Sequence, residues 1–175
     1  MRESKKVSDS RAFALEGEIK RIAPHEVVAI GPERYNELQA KIGNLNKLLA
    51  WGHARALENL LVRINPAEVI SDQFGDKRLI EKALLTKGKG VKLTQMPKAE
   101  SVPAVAAASI LARAEFLRRL ANLSAQFGLE LPKGAGSPVD EAARRFIQSK
   151  GRAELGQIAK LHFKNTGRVL DTASR

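Results

Sequence analysis

Two carboxylates stand where an α/β protein would place chemistry. Asp72 directly follows the short apolar run Glu68–Ser71 (EVIS), and Glu100 comes a few residues after the alternating run Val91–Gln95. In open α/β sheets, functional groups gather beyond the carboxyl ends of strands. If these two strands are neighbours, both side chains face one crevice. Two hard oxygen donors of this kind suit Mg²⁺ or Mn²⁺ better than Zn²⁺. Such ions make a hydroxide and stabilise the leaving oxygen when a phosphodiester is hydrolysed. Each residue also has a plainer reading: Asp72 as a turn aspartate, Glu100 as an acid at a helix N-terminus. Hydrolytic metal sites usually assemble about three or four acidic ligands. The other acids of interest are Glu3 and Asp9, in the opening segment, and Asp76, which reads as a helix cap.

The balance of charge points the same way. Lys plus Arg number 30 against 19 Asp plus Glu, a net charge of +11. That excess favours a polyanionic partner, nucleic acid first and an anionic membrane second. A merely solvated basic surface is the simpler alternative. His162 between Lys160 and Lys164 could meet a phosphate, and Lys133-Gly134 resembles a phosphate-contacting loop. No GxxxxGK[ST] motif is present. His53 reads as a packed or solvent-facing helix residue. Tyr35-Asn36 and Asn44/Asn46 lie near helix starts, where asparagine caps. Cysteine is absent, which removes disulfides and thiolate metal sites and fits a reducing cytoplasm. No apolar run approaches the roughly 20 residues of a membrane span. The opening MRESKKVSDS has no apolar stretch of a secretory signal.

The elements that must position these groups alternate between strand and helix. Ser8-Asp9-Ser10 caps a helix over 11–21. EVVAI, residues 26–30, predicts a buried strand. Helices follow over 33–42, closed by Gly43, and from Asn44 to about Leu61. The strand before Asp72, a helix over 76–85, and the strand from Val91 come next. A helix beginning at Glu100-Ser101, with Pro103 in its first turn, is rich in Ala and lies close to the sheet. The loop Leu131–Pro138 precedes a helix over 139–150. A last helical stretch runs over 153–161, and the polar tail after Thr166 reads as frayed. This is an α/β pattern with at least part of its sheet parallel. Only three strands are visible, around Val28, Ile70 and Leu93, fewer than the usual five or six or so.

The order of motifs resembles the type 2 ribonuclease H family, and within it the ribonuclease HIII branch. The matching pieces are ESKKVSD at Glu3–Asp9, IGPERYNEL at Ile30–Leu38, NLNKLLAWGHARAL at Asn44–Leu57 and SDQFG at Ser71–Gly75. PKAE and VAAASILAR at Pro97–Arg113, LPKGA at Leu131–Ala135 and AKLHFKNT at Ala159–Thr166 complete them. The resemblance covers nearly the whole chain. It implies a ribonuclease H-like fold, a mixed sheet flanked by helices. It also implies endonucleolytic cleavage of the RNA strand of RNA–DNA hybrids, using Mg²⁺ or Mn²⁺ and leaving 5′-phosphate and 3′-hydroxyl ends. Asp72 and Glu100 match two of the family's metal-binding catalytic acids. Lys98 and Lys133 become candidate contacts to the nucleic-acid backbone, beside Lys160, His162 and Lys164. Ser109 and Arg113 fall into structural roles.

The family pattern opens its catalytic domain with a strand bearing adjacent Asp-Glu in a DESGKGD-like motif. Here Met1 stands two residues before Glu3, which itself replaces the usual aspartate of DSKK. The expectation is therefore a single, incomplete catalytic domain over 1–175. Its first strands and the branch's N-terminal substrate-binding domain would be missing. Metal binding would be weakened, sheet edges exposed, and activity or solubility dependent on a complementing N-terminal segment. A complete form would be a cytoplasmic monomer. Two rivals remain: a non-catalytic basic nucleic-acid-binding module of the same fold, and another divalent-metal nuclease or phosphotransferase on a related fold.

Overall fold

The structure, a computed structural model, describes residues 8–172. Glu3, and the ESKKV part of the first family motif, lie outside the described residues. The chain divides into two compact units. One combines Met1–Ala29 with Asn44–Leu117, the other Ile30–Gly43 with Arg118–Arg175.

In the first unit, α1 (Asp9–Ile22) starts where Ser8 accepts the Arg11 N–H at 3.2 Å. Asp9 in its first turn and Lys20 and Arg21 in its last match the helix dipole. The α3 helix (Leu45–Leu61) is capped by Asn44, which accepts the Lys47 N–H at 3.0 Å. Ala50, Ala54 and Glu58 are spaced by four, so they share one buried face. The two alanines admit close neighbours: Ile80 of α4 (Arg78–Ala83), Leu84 just beyond it, and Leu93 complete the core. Burying a side chain such as Ile80 contributes about 1.5–3 kcal/mol.

That core supports a pair of strands. β1 (Val69–Asp72) and β2 (Leu93–Met96) run parallel, with Val69 opposite Leu93 and Asp72 opposite Met96. Parallel neighbours need a crossover, and α4 lies in it. The crossover's far end is held by Glu58. Its carboxylate accepts the N–H groups of Leu85 at 2.6 Å, Lys87 at 3.1 Å and Gly88 at 2.8 Å. Gly88 must lack a side chain, because a Cβ there would come within 2.8 Å of Glu58 Oε1.

Several expectations need correction. EVVAI is not a strand: residues 24–31 carry no regular structure, and among the described residues no strand pairs with them. Apolar β-branched residues give a segment its preference, but a strand exists only with a ladder partner. The sheet of the described residues is this parallel pair rather than a larger mixed one. The helix carrying the family's Ala-rich motif, α5, spans Pro103–Phe127 and does not include Glu100. Val102 stays extended (φ −84°, ψ 122°), as residues before proline do. Glu100 sits instead in a separate 3-10 turn, Ala99–Ser101.

In the second unit, α2 (Pro32–Ile42) has proline in its first turn and ends at Gly43, whose φ of 66° is the left-handed cap glycine tolerates. Gly136 precedes α6 (Ser137–Lys150), and a 3-10 helix follows at Arg152–Gln157. The segment read as a frayed tail is α7 (Lys164–Thr172). Val169 on it is 1% exposed, and Arg168 donates to the buried Asp140 of α6 at 2.9 Å. Val169 and Leu170 lie three and four residues after Thr166, a helical spacing hidden by the polar residues around them. Phe146 is buried here and meets Phe127 edge to face at 5.2 Å.

Candidate active site

Asp72 is the last residue of β1 and is half-buried. Its neighbour Gln73 extends the ladder by donating its N–H to Met96 O at 3.2 Å. The chain then leaves β2 through Pro97 and Lys98. Lys98 has φ 56° and ψ 39°, a left-handed conformation among the described non-glycine residues only here. Such a residue is costly for a side chain with Cβ and persists only where the surroundings hold it. Two groups do so. Ser101 donates both its N–H (3.3 Å) and its hydroxyl (3.2 Å) to Lys98 O. On the other side, Ala99 donates its N–H to Asp72 Oδ1 at 3.3 Å. The end of β1 is thereby tied to the turn that carries Glu100, also half-buried.

The loop after Asp72 is held from α3. Phe74 stacks on His53 with ring centroids 4.8 Å apart, and burial lowers the His53 pKa from its ordinary value. A Cβ on Gly75 would lie 3.4 Å from Asn46 Nδ2, so the backbone passes close to that side chain. Asp76 binds Arg78 through backbone and side chain, and these contacts bring its carboxyl down to about 2. It is an exposed local cap rather than a third acid beside Asp72 and Glu100. Asp9 is engaged by Arg113 of α5 at 2.9 Å, which gives Arg113 the structural role expected for it.

Asp72 and Glu100 fit a hard dication in kind, since both are carboxylates. Among the described residues, no group of three or more His, Cys, Asp or Glu stands ready to hold a metal. The pair would supply only part of a coordination shell. Water and phosphate oxygens are the usual remaining ligands of Mg²⁺.

Of the expected nucleic-acid contacts, Lys98 belongs to this unit and is exposed. Lys133, Lys160, His162 and Lys164 belong to the second unit. Lys133 lies in the exposed loop between α5 and α6, and Lys164 opens α7. Lys160 places Nζ 4.5 Å from the Tyr35 ring centroid, and burial lowers its pKa from the ordinary value. Asn36 is not a cap. Its Nδ2 donates to Gly156 O (3.2 Å) and Ala159 O (2.9 Å), and its Oδ1 accepts the Leu161 N–H at 2.9 Å. Sequence reading missed this clamp and the Glu58 anchor. Glu58 did leave a signal, as a lone charge in register with Ala50 and Ala54. Asn36 left none beyond its type.

The fold of this chain matches that of solved RNase HIII structures. Over 99% of its length the chain superposes on a point mutant of Bst-RNase HIII with TM-score 0.90 at 36% identity. It superposes on Bst-RNase HIII in complex with Mn²⁺ with TM-score 0.89 at 37% identity; it spans 58% of each of those chains. A family profile described as Ribonuclease HII matches residues 1–166, and the chain belongs to that family. Ribonuclease HIII of Protochlamydia amoebophila (strain UWE25) is 40% identical over 170 residues, which is 97% of this chain and 56% of that relative. The chain therefore spans less than two thirds of the length of such Ribonuclease HIII relatives. No helix of the described residues is long and apolar enough to cross a membrane.

Proposed function

We propose that this chain supplies catalytic carboxylates to an endoribonuclease that cleaves the RNA strand of RNA–DNA hybrids. In this reading residues 1–175 serve as a single catalytic domain, Asp72 and Glu100 hold Mg²⁺ or Mn²⁺, and cleavage leaves 5′-phosphate and 3′-hydroxyl ends. The observation that carries the reading is the Ala99 N–H to Asp72 Oδ1 bond, which fastens one acid-bearing strand end to the turn bearing the other. That bond orients the Asp72 carboxylate and leaves it further lone pairs for a ligand. Glu100 is fixed by its place in a turn closed by Ser101 and Val102 N–H groups. A bound dication would supply an activated water and charge stabilisation at the phosphate. Lys98, displayed beside the acids by its left-handed backbone, attracts the scissile strand's phosphates. Lys133, Lys160, His162 and Lys164 serve as further backbone contacts, consistent with the +11 charge. The complex of Bst-RNase HIII with Mn²⁺ is consistent with the choice of ion.

The test is cleavage of an end-labelled hybrid in Mg²⁺ and in Mn²⁺. Asp72→Asn and Glu100→Gln should each lower the rate by about 100-fold or more, because each removes a ligand charge. Cleavage unchanged in both variants refutes the assignment. A second reading, a hybrid-binding module without chemistry, is favoured by the lack of a three-ligand cluster among the described residues. It expects salt-steep binding and no cleavage in either metal.

A further inference from the structure

The second unit fixes two rings at its surface. Asn36, through its three hydrogen bonds, holds the segment from Gly156 to Leu161. The next two residues are His162 and Phe163, their ring centroids 4.1 Å apart. Tyr35, the neighbour of Asn36 on α2, lies buried beneath them, its ring stacked on His162 at 5.5 Å with an interplanar angle of 28°. His162 is exposed and Phe163 is 43% exposed. Burial is the ordinary reward of an aromatic side chain, so rings held in place and left in water lack their usual reason to be ordered. The segment Lys160–Lys164 contains two lysines and no acid. Lys164 is exposed, and Lys160, exposed along its length, has its ammonium partly covered against the Tyr35 ring, 4.5 Å from the centroid. Preordered rings between cations match the makeup of surfaces that stack the bases of single strands, where cations track the phosphates.

We propose that His162 and Phe163, backed by Tyr35 and flanked by Lys160 and Lys164, form a stacking platform for an unpaired nucleobase in a strand flanking the hybrid. This rests on the hybrid-directed reading above and narrows it. Inside a paired hybrid the faces of the bases are covered by their neighbours, so a ring can stack only on an unpaired or terminal base. The platform therefore distinguishes a hybrid that continues into single strand from a blunt one.

The experiment is fluorescence anisotropy with chelator present, so that no cleavage intervenes, comparing a blunt hybrid with the same hybrid carrying a single-stranded overhang. The parent chain should bind the overhang form more tightly. Phe163→Ala should weaken that binding by about tenfold while leaving blunt-hybrid affinity within about twofold. Phe163→Trp should keep the affinity, and the indole it introduces should be quenched by the overhang form alone. The proposal is overturned if the parent binds both forms equally, if Phe163→Ala weakens both forms alike, or if Phe163→Trp shows no overhang-dependent quenching. A parent that binds neither form overturns the hybrid-directed reading as well.

Discussion

Glu58 offers the sharpest test of how the crossover positions the site. The perturbation is Glu58→Ala. It removes three acceptor contacts at once, to Leu85, Lys87 and Gly88. Hydrogen bonds to a charged group contribute about 1.5–3 kcal/mol each when fully protected. Protection here is uneven. Leu85 is 50% exposed and Lys87 is exposed, so water can replace the carboxylate for those two N–H groups. Gly88 is buried and loses its partner outright. Allowing about 2 kcal/mol for Gly88 and about 0.5–1 kcal/mol for each of the others gives a loss of about 3–4 kcal/mol. For a chain of this size that lowers Tm by about 6–16 °C. Thermal and urea unfolding followed by far-UV circular dichroism provide the measurement. The carboxylate also carries a pH signature. Burial raises its pKa, but the bonds from Gly88, Leu85 and Lys87, with the Arg55 charge, outweigh it, so the folded value lies below the ordinary 4.5. The contribution is therefore present above 4.5 and fades as pH falls through the lower folded value. The stability gap between parent and Glu58→Gln should narrow on acidification over that interval. An alanine variant within about 0.5 kcal/mol of the parent at neutral pH refutes the argument, because no named mechanism gives so small a loss for a buried anchor.

Two further predictions concern the site and the second unit. Lys98→Gly should stabilise the fold by about 0.5–1 kcal/mol by relieving the left-handed strain, while weakening hybrid binding through loss of the ammonium. Lys98→Val should destabilise it, and urea unfolding beside binding separates the two effects. Asn36→Ala should lose about 2 kcal/mol, since its two half-buried partners, at Gly156 and Ala159, are backbone groups worth about 1 kcal/mol each and water can replace it at the exposed Leu161. A melting temperature unmoved by that change would show that the 156–161 segment holds itself.

The helices were legible where their ends were chemically marked. Ser8, Asn44 and Gly43 each do at the helix boundary what their residue types suggest. That part of the sheet is parallel also followed from pattern, since an intervening helix favours a parallel crossover; that the strands before Asp72 and Glu100 are neighbours stood only as a condition, and their pairing meets it. Other features were hidden for physical reasons. EVVAI has the composition of a strand, but ladder partnership is not local information. The fixed extended backbone of Val102 before Pro103 cut Glu100 away from the helix it was expected to open. Lys98 carries no glycine or asparagine to announce a positive φ. Both Asn36 and Glu58 act on backbone groups far along the chain, which spacing cannot reveal.

The burial of Val169 has a practical side. With Arg168 reaching Asp140 and Val169 lodged inside the second unit, the stretch after Thr166 behaves as a peg rather than a trailing thread. Clipping the chain by protease just past that threonine would strip a cation from an inward-facing acid and open a hole beside Phe146's unit in one cut. An affinity handle is safer joined through a spacer than grafted in place of these residues.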